Sequence, residues 1–365
     1  MTPSDDDGPN AGEDNAEEAG DAPRFTAAVG NDLPPGEVAA CARALDRETA
    51  FEAFLVGDEG LEYNTHAALA LAAAETERID LGTGVTNPYT RHPAVTAAAA
   101  ATLDTVSDGR ARLGLGVGSP IVLDPLGFDQ SDPVGTLRDA VRAVRGLLDG
   151  ESVTVDRPEF TADGATLDVL PPTDVPFYLA GRGPHVLGLG GYRADGVIAG
   201  AGLASAEGVA YAREHVGRGA ERAGRSLADI DLVIWAFCSV AGDGDAARDG
   251  VVELVARILA KAPTEALDAI GVDPDVAERV AAFDEHEGVA GAATADLREL
   301  VPRTTIERFA VAGNAEECRE QVADLVAAGA DHVGLLAFEN SEASRKECLL
   351  TADEAVLRPL GATQG

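Results

Sequence analysis

Two adjacent carboxylates, Asp58 and Glu59, follow a short apolar run within Gly57-Asp58-Glu59-Gly60. Acids placed together at a strand end can position a ligand or exchange a proton with it. In so acidic a chain the pair also reads as a polar turn. A denser cluster is Gly82-Thr83-Gly84-Val85-Thr86-Asn87-Pro88-Tyr89-Thr90-Arg91-His92-Pro93. Two glycines inside an apolar run mark a bulge or a close approach of backbone to ligand. Asn87-Pro88 marks a turn. Arg91 and His92 lie just before a helix, where a capping role competes with ligand contact. A third run, Gly114-Leu115-Gly116-Val117-Gly118-Ser119, has GxGxG spacing rather than the GxGxxG dinucleotide fingerprint. A nicotinamide-binding Rossmann site is therefore not supported, and the glycines would instead let a flat ring approach the strand end. The fourth run, Ala180-Gly181-Arg182-Gly183-Pro184-His185, opens a helix. Free N–H groups and the helix dipole make such a start an anion site, and Arg182 adds a positive charge. Phosphate binding is favoured there over a plain turn with a solvated arginine.

Other chemistries find no footing. The histidines show no HExxH or paired spacing, and Cys41, Cys238, Cys318 and Cys348 form no CxxC, so no metal is assigned. The cysteines read as buried thiols. No GxSxG elbow is present, which argues against a Ser-His-Asp hydrolase.

The elements that must position these runs alternate. Apolar segments at Phe25–Val29, Ala53–Val56, Ile79–Val85, Ala111–Val117, Phe177–Ala180, Gly196–Ala199, Asp231–Val240 and His332–Ala337 read as strands. Helical patterns fall between them at Glu37–Thr49, Thr65–Glu75, Pro93–Val106, Pro133–Leu148, Pro184–Tyr192, Ser205–Ala223 and Glu316–Ala328, and Ser341–Leu349 closes the set. Ser152–Leu167 reads as a small hairpin, and 243–310 as a mostly helical, Ala-rich insertion. About eight β/α units with fully apolar strands predict a parallel sheet wrapped by helices, closed as a (β/α)8 barrel, with an open doubly wound sheet as the alternative. Residues 1–23 hold eight acids and no base, and read as a disordered tail ahead of one domain spanning 24–365. In a barrel the four runs above all fall at the C-terminal strand ends, where ligands bind.

These runs resemble the methylenetetrahydromethanopterin reductases, luciferase-like barrel enzymes that use the deazaflavin coenzyme F420. The likeness is carried by LGTGVTNPYTRHPAVTAAAAATLDTVSDGRARLGLGVG from Leu81 to Gly118, with VTNPYTRHPA and TLD-x-x-S-x-GRA its most specific parts. LRDAVRAVRGLLDG ending at Gly150, Ala180–Pro184 and AGNAEEC at Ala312–Cys318 extend it over most of Arg24–Ala337. The resemblance implies a non-prolyl cis peptide at Gly84-Val85 backing the ring, with Thr86, Asn87, Gly116, Val117 and Gly118 around it. It also implies a phosphate loop over Ala180, Gly181, Arg182 and Gly183. Asp58 matches an acidic position after the second strand, and Glu59 stands where many relatives have His. The chemistry implied is hydride transfer to a methylene-pterin of methanopterin or folate type, in one-carbon metabolism. Two family acids are missing: Ala28 replaces a Glu in the first strand and Ser119 replaces the acid after GxGxG, which leaves Asp58 and Glu59 as the catalytic candidates. A luciferase-like oxidoreductase with another acceptor, using F420 or FMN, and a non-catalytic coenzyme-binding barrel stay as alternatives. Relatives of this kind commonly form homo-oligomers.

Composition sets the remaining bounds. The 365 residues carry 63 acids against 28 bases, a formal charge of -35, and only Lys261 and Lys346 are lysines. Excess carboxylate with so little lysine reads as a protein built for molar salt, where self-repulsion is screened over about 3 Å. This charge disfavours phosphate backbones, so no nucleic-acid partner is expected. No apolar run reaches membrane length. With no signal peptide, the expected location is the cytoplasm.

Overall fold

In a computed structural model, the structure describes residues 22–362 except 48, 60, 263–266 and 269. Residues 1–21 of the acidic tail, and Gly60 of the first acidic run, lie outside the described residues. Eight strands close a parallel ring: β1 (Arg24–Val29), β2 (Phe51–Val56), β3 (Asp80–Thr86), β4 (Ala111–Gly116), β7 (Phe177–Gly181), β8 (Gly196–Ala199), β9 (Asp231–Val240) and β11 (His332–Ala337). Pairing of β9 with both β8 and β11, and of β11 with β1, shuts the ring. The antiparallel hairpin β5 (Val153–Asp156) and β6 (Thr161–Ala165) sits outside it. The barrel reading thus holds and the open sheet does not.

The strands form because their apolar residues are covered twice. Val29, Phe54, Leu113, Leu179 and Ile234 pack under the helices, while Ala28, Leu55, Tyr178, Ile198, Val233 and Trp235 form a separate cluster in the barrel lumen. Alternate side chains of one strand therefore enter two different cores. Helices start where the sequence allows it: His92 accepts from the Ala94 N–H ahead of Pro93–Val106, and Asp132 from the Gly135 N–H ahead of Pro133–Leu148.

The 243–310 segment is mostly helical, as its pattern reads, and one strand absent from that reading follows it. Its helices Gly244–Lys261, Pro274–His286, Thr294–Leu300 and Arg303–Phe309 end in a short strand, β10 (Ala310–Gly313), paired with the second half of β9. No helix among the described residues is long and apolar enough to cross a membrane.

The N-terminal end of the barrel is closed by charge. Arg24, Glu52, Arg112, Asp231 and His332 all occupy the first or second position of a strand. His332 is fully buried, meets the Thr26 hydroxyl at 2.8 Å through Nε2 and faces Asp231 at 2.9 Å through Nδ1. Arg24 and the Tyr178 hydroxyl also bind Asp231. Desolvation works against the Asp231 charge, yet these partners hold its carboxyl far below the usual carboxylate range. A depressed carboxyl stabilises the fold above its unfolded pKa and loses that contribution only as acid titrates the native state. Asp231→Ala is therefore expected to cost about 3–5 kcal/mol at neutral pH, read by urea unfolding in molar KCl. Its deficit should shrink only in strong acid.

Candidate functional site

The C-terminal ends of β2, β3, β4 and β7 lie side by side, in that order. The register runs Val56 with Thr83, Thr86 with Leu115, and Gly116 with Ala180. Between Thr83 and Thr86 the ladder is interrupted, and there the Gly84–Val85 peptide is cis. The bulge needs space on β4. A Cβ on Gly114 would stand 2.3 Å from the Thr83 carbonyl oxygen and 2.7 Å from Val85 Cγ1, and one on Gly116 would stand 2.9 Å from Val85 Cγ2. The glycines of the GxGxG run thus seat the Val85 side chain, so their first partner is the protein rather than a ring. Gly118 has φ +77°, and a Cβ there would stand 2.5 Å from Leu123 Cδ1 and 3.5 Å from Asn87 Cβ, so glycine lets the β4 loop lie close to the β3 loop.

Exposure changes together on these neighbours. Gly84, Val85, Val117, Gly118, Ala180, Gly181, Arg182 and Gly183 are half-buried at the ends of strands that are otherwise buried. Val85, Ala180 and Leu336 rest on the lumenal cluster of Leu55, Ile198 and Trp235. The result is an apolar floor, open on one side, at the mouth of the barrel.

Beside the floor stands Arg182. Its Nη1 is buried and has no hydrogen-bond partner, and burial works against its charge. The helix Pro184–Arg193 begins next to it with Gly183 as an N-cap that offers no side-chain bond to the first turn. A Cβ on Gly183 would meet nothing within 4 Å. Unused backbone donors, a positive helix end and an unpaired guanidinium lie together at the start of this helix, which is the arrangement an anion requires.

The acidic rim lies on the other side. Asn31, buried on the loop after β1, donates to the Glu59 and Tyr63 carbonyls at 3.0 Å and accepts from the Glu59 N–H, which shapes the loop after β2. Asp58 accepts from the Thr86 hydroxyl at 2.6 Å. Around the same carboxylate stand Arg91 Nε at 3.8 Å and His66 Nε2 at 3.9 Å. The His66 pKa is lowered to about 4, by desolvation and by Arg91, against the pull of Asp58. Glu59 is exposed as a residue, but its carboxyl pKa is raised, first by desolvation within the rim, then by Glu62, with Arg257 opposing. A glutamate so placed keeps its proton to higher pH than an ordinary one.

Not every candidate faces the hollow. Thr86 and Asn87 are buried, Thr86 donates to Asp58, and the Asn87 amide oxygen accepts from the Tyr89 and Thr90 N–H groups. They shape the rim from below. His92 caps its helix and its Nε2 meets the Thr161 carbonyl at 2.9 Å, so the β5–β6 hairpin engages it. Ala28 lies fully buried in the lumenal cluster, and Ser119 heads a four-residue helix. His66 was not among the sequence candidates. Its sole signal was a position eight residues past Asp58, at the start of a helix.

Comparison with known proteins agrees with this architecture. The family model described as luciferase-like monooxygenase matches residues 15–332. The 5,10-methylenetetrahydromethanopterin reductase of Methanolobus tindarius is 31% identical over 293 residues, 79% of this chain and 86% of that protein. The F420-dependent glucose-6-phosphate dehydrogenase of Beutenbergia cavernae is 32% identical over 300 residues, 81% of this chain and 82% of that protein. The solved structure of the coenzyme F420-dependent tetrahydromethanopterin reductase from Methanopyrus kandleri superposes with a TM-score of 0.79 at 26% identity, covering 93% of this chain and 99% of that one.

Proposed function

The chain belongs to the luciferase-like monooxygenase family, and from that premise we propose that it moves a hydride between coenzyme F420 and a methylene-tetrahydropterin of methanopterin or folate type. Within the family it is an F420-dependent oxidoreductase. The observation that carries the reading is the half-buried apolar floor of Val85, Ala180 and Leu336 beside the unpartnered Arg182. One feature suits a flat ring and the other a phosphate, and a deazaflavin coenzyme has both.

When bound, the reduced deazaflavin supplies a hydride, as a nicotinamide does. The protein's residues do the rest. Val85 and Ala180 would support the ring face and keep water from it. Arg182, with the N–H groups that open Pro184–Arg193, would hold the phosphate and so fix the coenzyme's position. Glu59 holds a proton for the pterin amine nitrogen, which is released when the methylene carbon–nitrogen bond breaks and its electron pair stays on nitrogen. Asp58 would set its charge near the cationic carbon–nitrogen double bond so formed, where an added hydride would complete the methyl group. One hydride and one proton are consumed per methylene group.

The test is oxidation of reduced F420 in molar KCl on adding methylene-tetrahydromethanopterin or methylene-tetrahydrofolate. Turnover with one of them is expected. Tight coenzyme binding with no turnover on either pterin would overturn the pterin assignment. Ala28 and Ser119 favour a second reading, an F420- or FMN-dependent oxidoreductase with another acceptor, because β1 and the β4 loop lack the two acids that the resemblance to pterin reductases implies.

Self-association belongs to the proposal too. The packed helices Thr65–Ala74 and Pro93–Val106 carry one charged residue between them, the fully buried Asp104, apart from any charge on His66. Leu71, Val95 and Val106 are exposed on them. On a chain of charge -35, the surface that matches an uncharged face is a second copy of that face. Leu71→Glu with Val95→Glu should give a monomer in light scattering where the parent is a dimer.

A further inference from the structure

Trp235 is the single tryptophan of the chain. It stands in the middle of β9 with its side chain in the barrel lumen, in the cluster on which Val85, Ala180 and Leu336 rest. Glycines on two other strands seat it. Gly334 of β11 lies opposite in register, and a Cβ there would stand 2.4 Å from Trp235 Cε3 and 2.8 Å from Cζ3. A Cβ on Gly84, in the β3 bulge, would stand 3.4 Å from Cη2. All three atoms belong to the benzene ring of the indole. Nε1, on the five-membered ring, is left out of these contacts.

Trp235 is only 6% exposed. Among the described residues no group accepts from its indole N–H, yet Nε1 is not shut away from solvent as the unpartnered Arg182 Nη1 is. The small cavity nearer the N-terminal end of the lumen, about 10 Å³ between Thr26, Arg112 and Tyr178, is not lined by Trp235. The indole nitrogen is therefore reached from the mouth, where its ring meets Gly84. A buried tryptophan ordinarily finds an acceptor for its N–H within the protein. From this geometry we propose that the Trp235 N–H is a specificity-determining hydrogen-bond donor at the base of the mouth, met by a carbonyl oxygen or ring nitrogen of the ligand that lies on the floor.

The chemistry of the indole fixes that ligand class, because it can donate and cannot accept. Water serves it in the free protein. A ligand that covers the floor expels this water and must return an acceptor, or it leaves a buried donor unmet. A flat conjugated ring bearing carbonyls meets the demand, and a hydrocarbon ring or an ammonium group does not. The inference rests on the reading of the mouth as a coenzyme site, and either the coenzyme or its reaction partner can bring the acceptor.

The test uses the full chain with 15N-labelled tryptophan, which gives one indole signal, and follows F420 binding separately by the coenzyme's own absorbance. A downfield shift of the indole proton on saturation with F420, with slower exchange against water, supports the proposal and puts the acceptor on the coenzyme. The same change appearing only when methylene-tetrahydromethanopterin joins the bound coenzyme supports it and puts the acceptor on the pterin. F420 bound with the indole signal unmoved in both states overturns the proposal and leaves the coenzyme reading standing, whereas no binding of F420 overturns both. Trp235→Phe keeps an aromatic ring over Gly334 and removes the N–H. It should weaken the ligand that moved the signal about tenfold, the loss of one hydrogen bond to a buried donor, while its thermal melt stays cooperative. Undiminished affinity in that variant would also overturn the proposal.

Discussion

Arg182→Gln weakens F420 binding about thirtyfold and leaves the free protein at least as stable as its parent. Both halves follow from one fact: the guanidinium is buried, Nη1 has no partner, and burial opposes its charge. Removing a buried charge that lacks a counter-ion relieves the unliganded fold. The same change takes away the charge-assisted bonds to phosphate, worth about 2 kcal/mol. Stability and affinity thus move in opposite directions, the trade expected where a fold holds a strained group for its ligand. A thermal melt and a coenzyme titration on one preparation check it. Unchanged affinity would place the phosphate elsewhere.

Glu59→Gln separates chemistry from binding. Glu59 sits across the mouth from Arg182, and its raised carboxyl pKa is set by desolvation and by Glu62. As the proton donor it must be protonated to act, so kcat should fall as pH rises through its raised pKa. Glutamine keeps the shape and carries no transferable proton. A loss of about 10²–10⁴ in kcat is expected, with F420 affinity unchanged and the alkaline limb of the profile gone. A variant that keeps both rate and limb would pass the acid role to another group.

The barrel was legible because each parallel strand is covered on both faces and so appears as an unbroken apolar run. Asp231–Val240 and Pro93–Val106 fall where the pattern puts them. β10 was not among the expected strands, since Ala310–Gly313 is only four residues directly after a helix and its strand character comes from pairing with β9. The site was legible as four glycine- or acid-bearing runs, but not in its division of labour. Gly114 and Gly116 make room for Val85 because of a bulge on the neighbouring strand, a non-local cause. The TLD-x-x-S-x-GRA stretch is architecture: Asp104 accepts from the Thr173 N–H and hydroxyl, and Arg110 donates to the Ile79 and Thr76 carbonyls. His66 gave no pattern of its own, since its nearness to Asp58 depends on a loop that Asn31 holds from another strand.

The central claim is that the ends of β3, β4 and β7 hold a flat ring and the start of Pro184–Arg193 its phosphate. Titrating the full chain with F420 and with FMN in molar KCl, followed by fluorescence, tests it most directly. Saturable one-to-one binding of F420, tighter than that of FMN, is the expected outcome. Failure to bind either, or binding that Arg182→Gln and a bulky residue at Gly183 leave untouched, would contradict it.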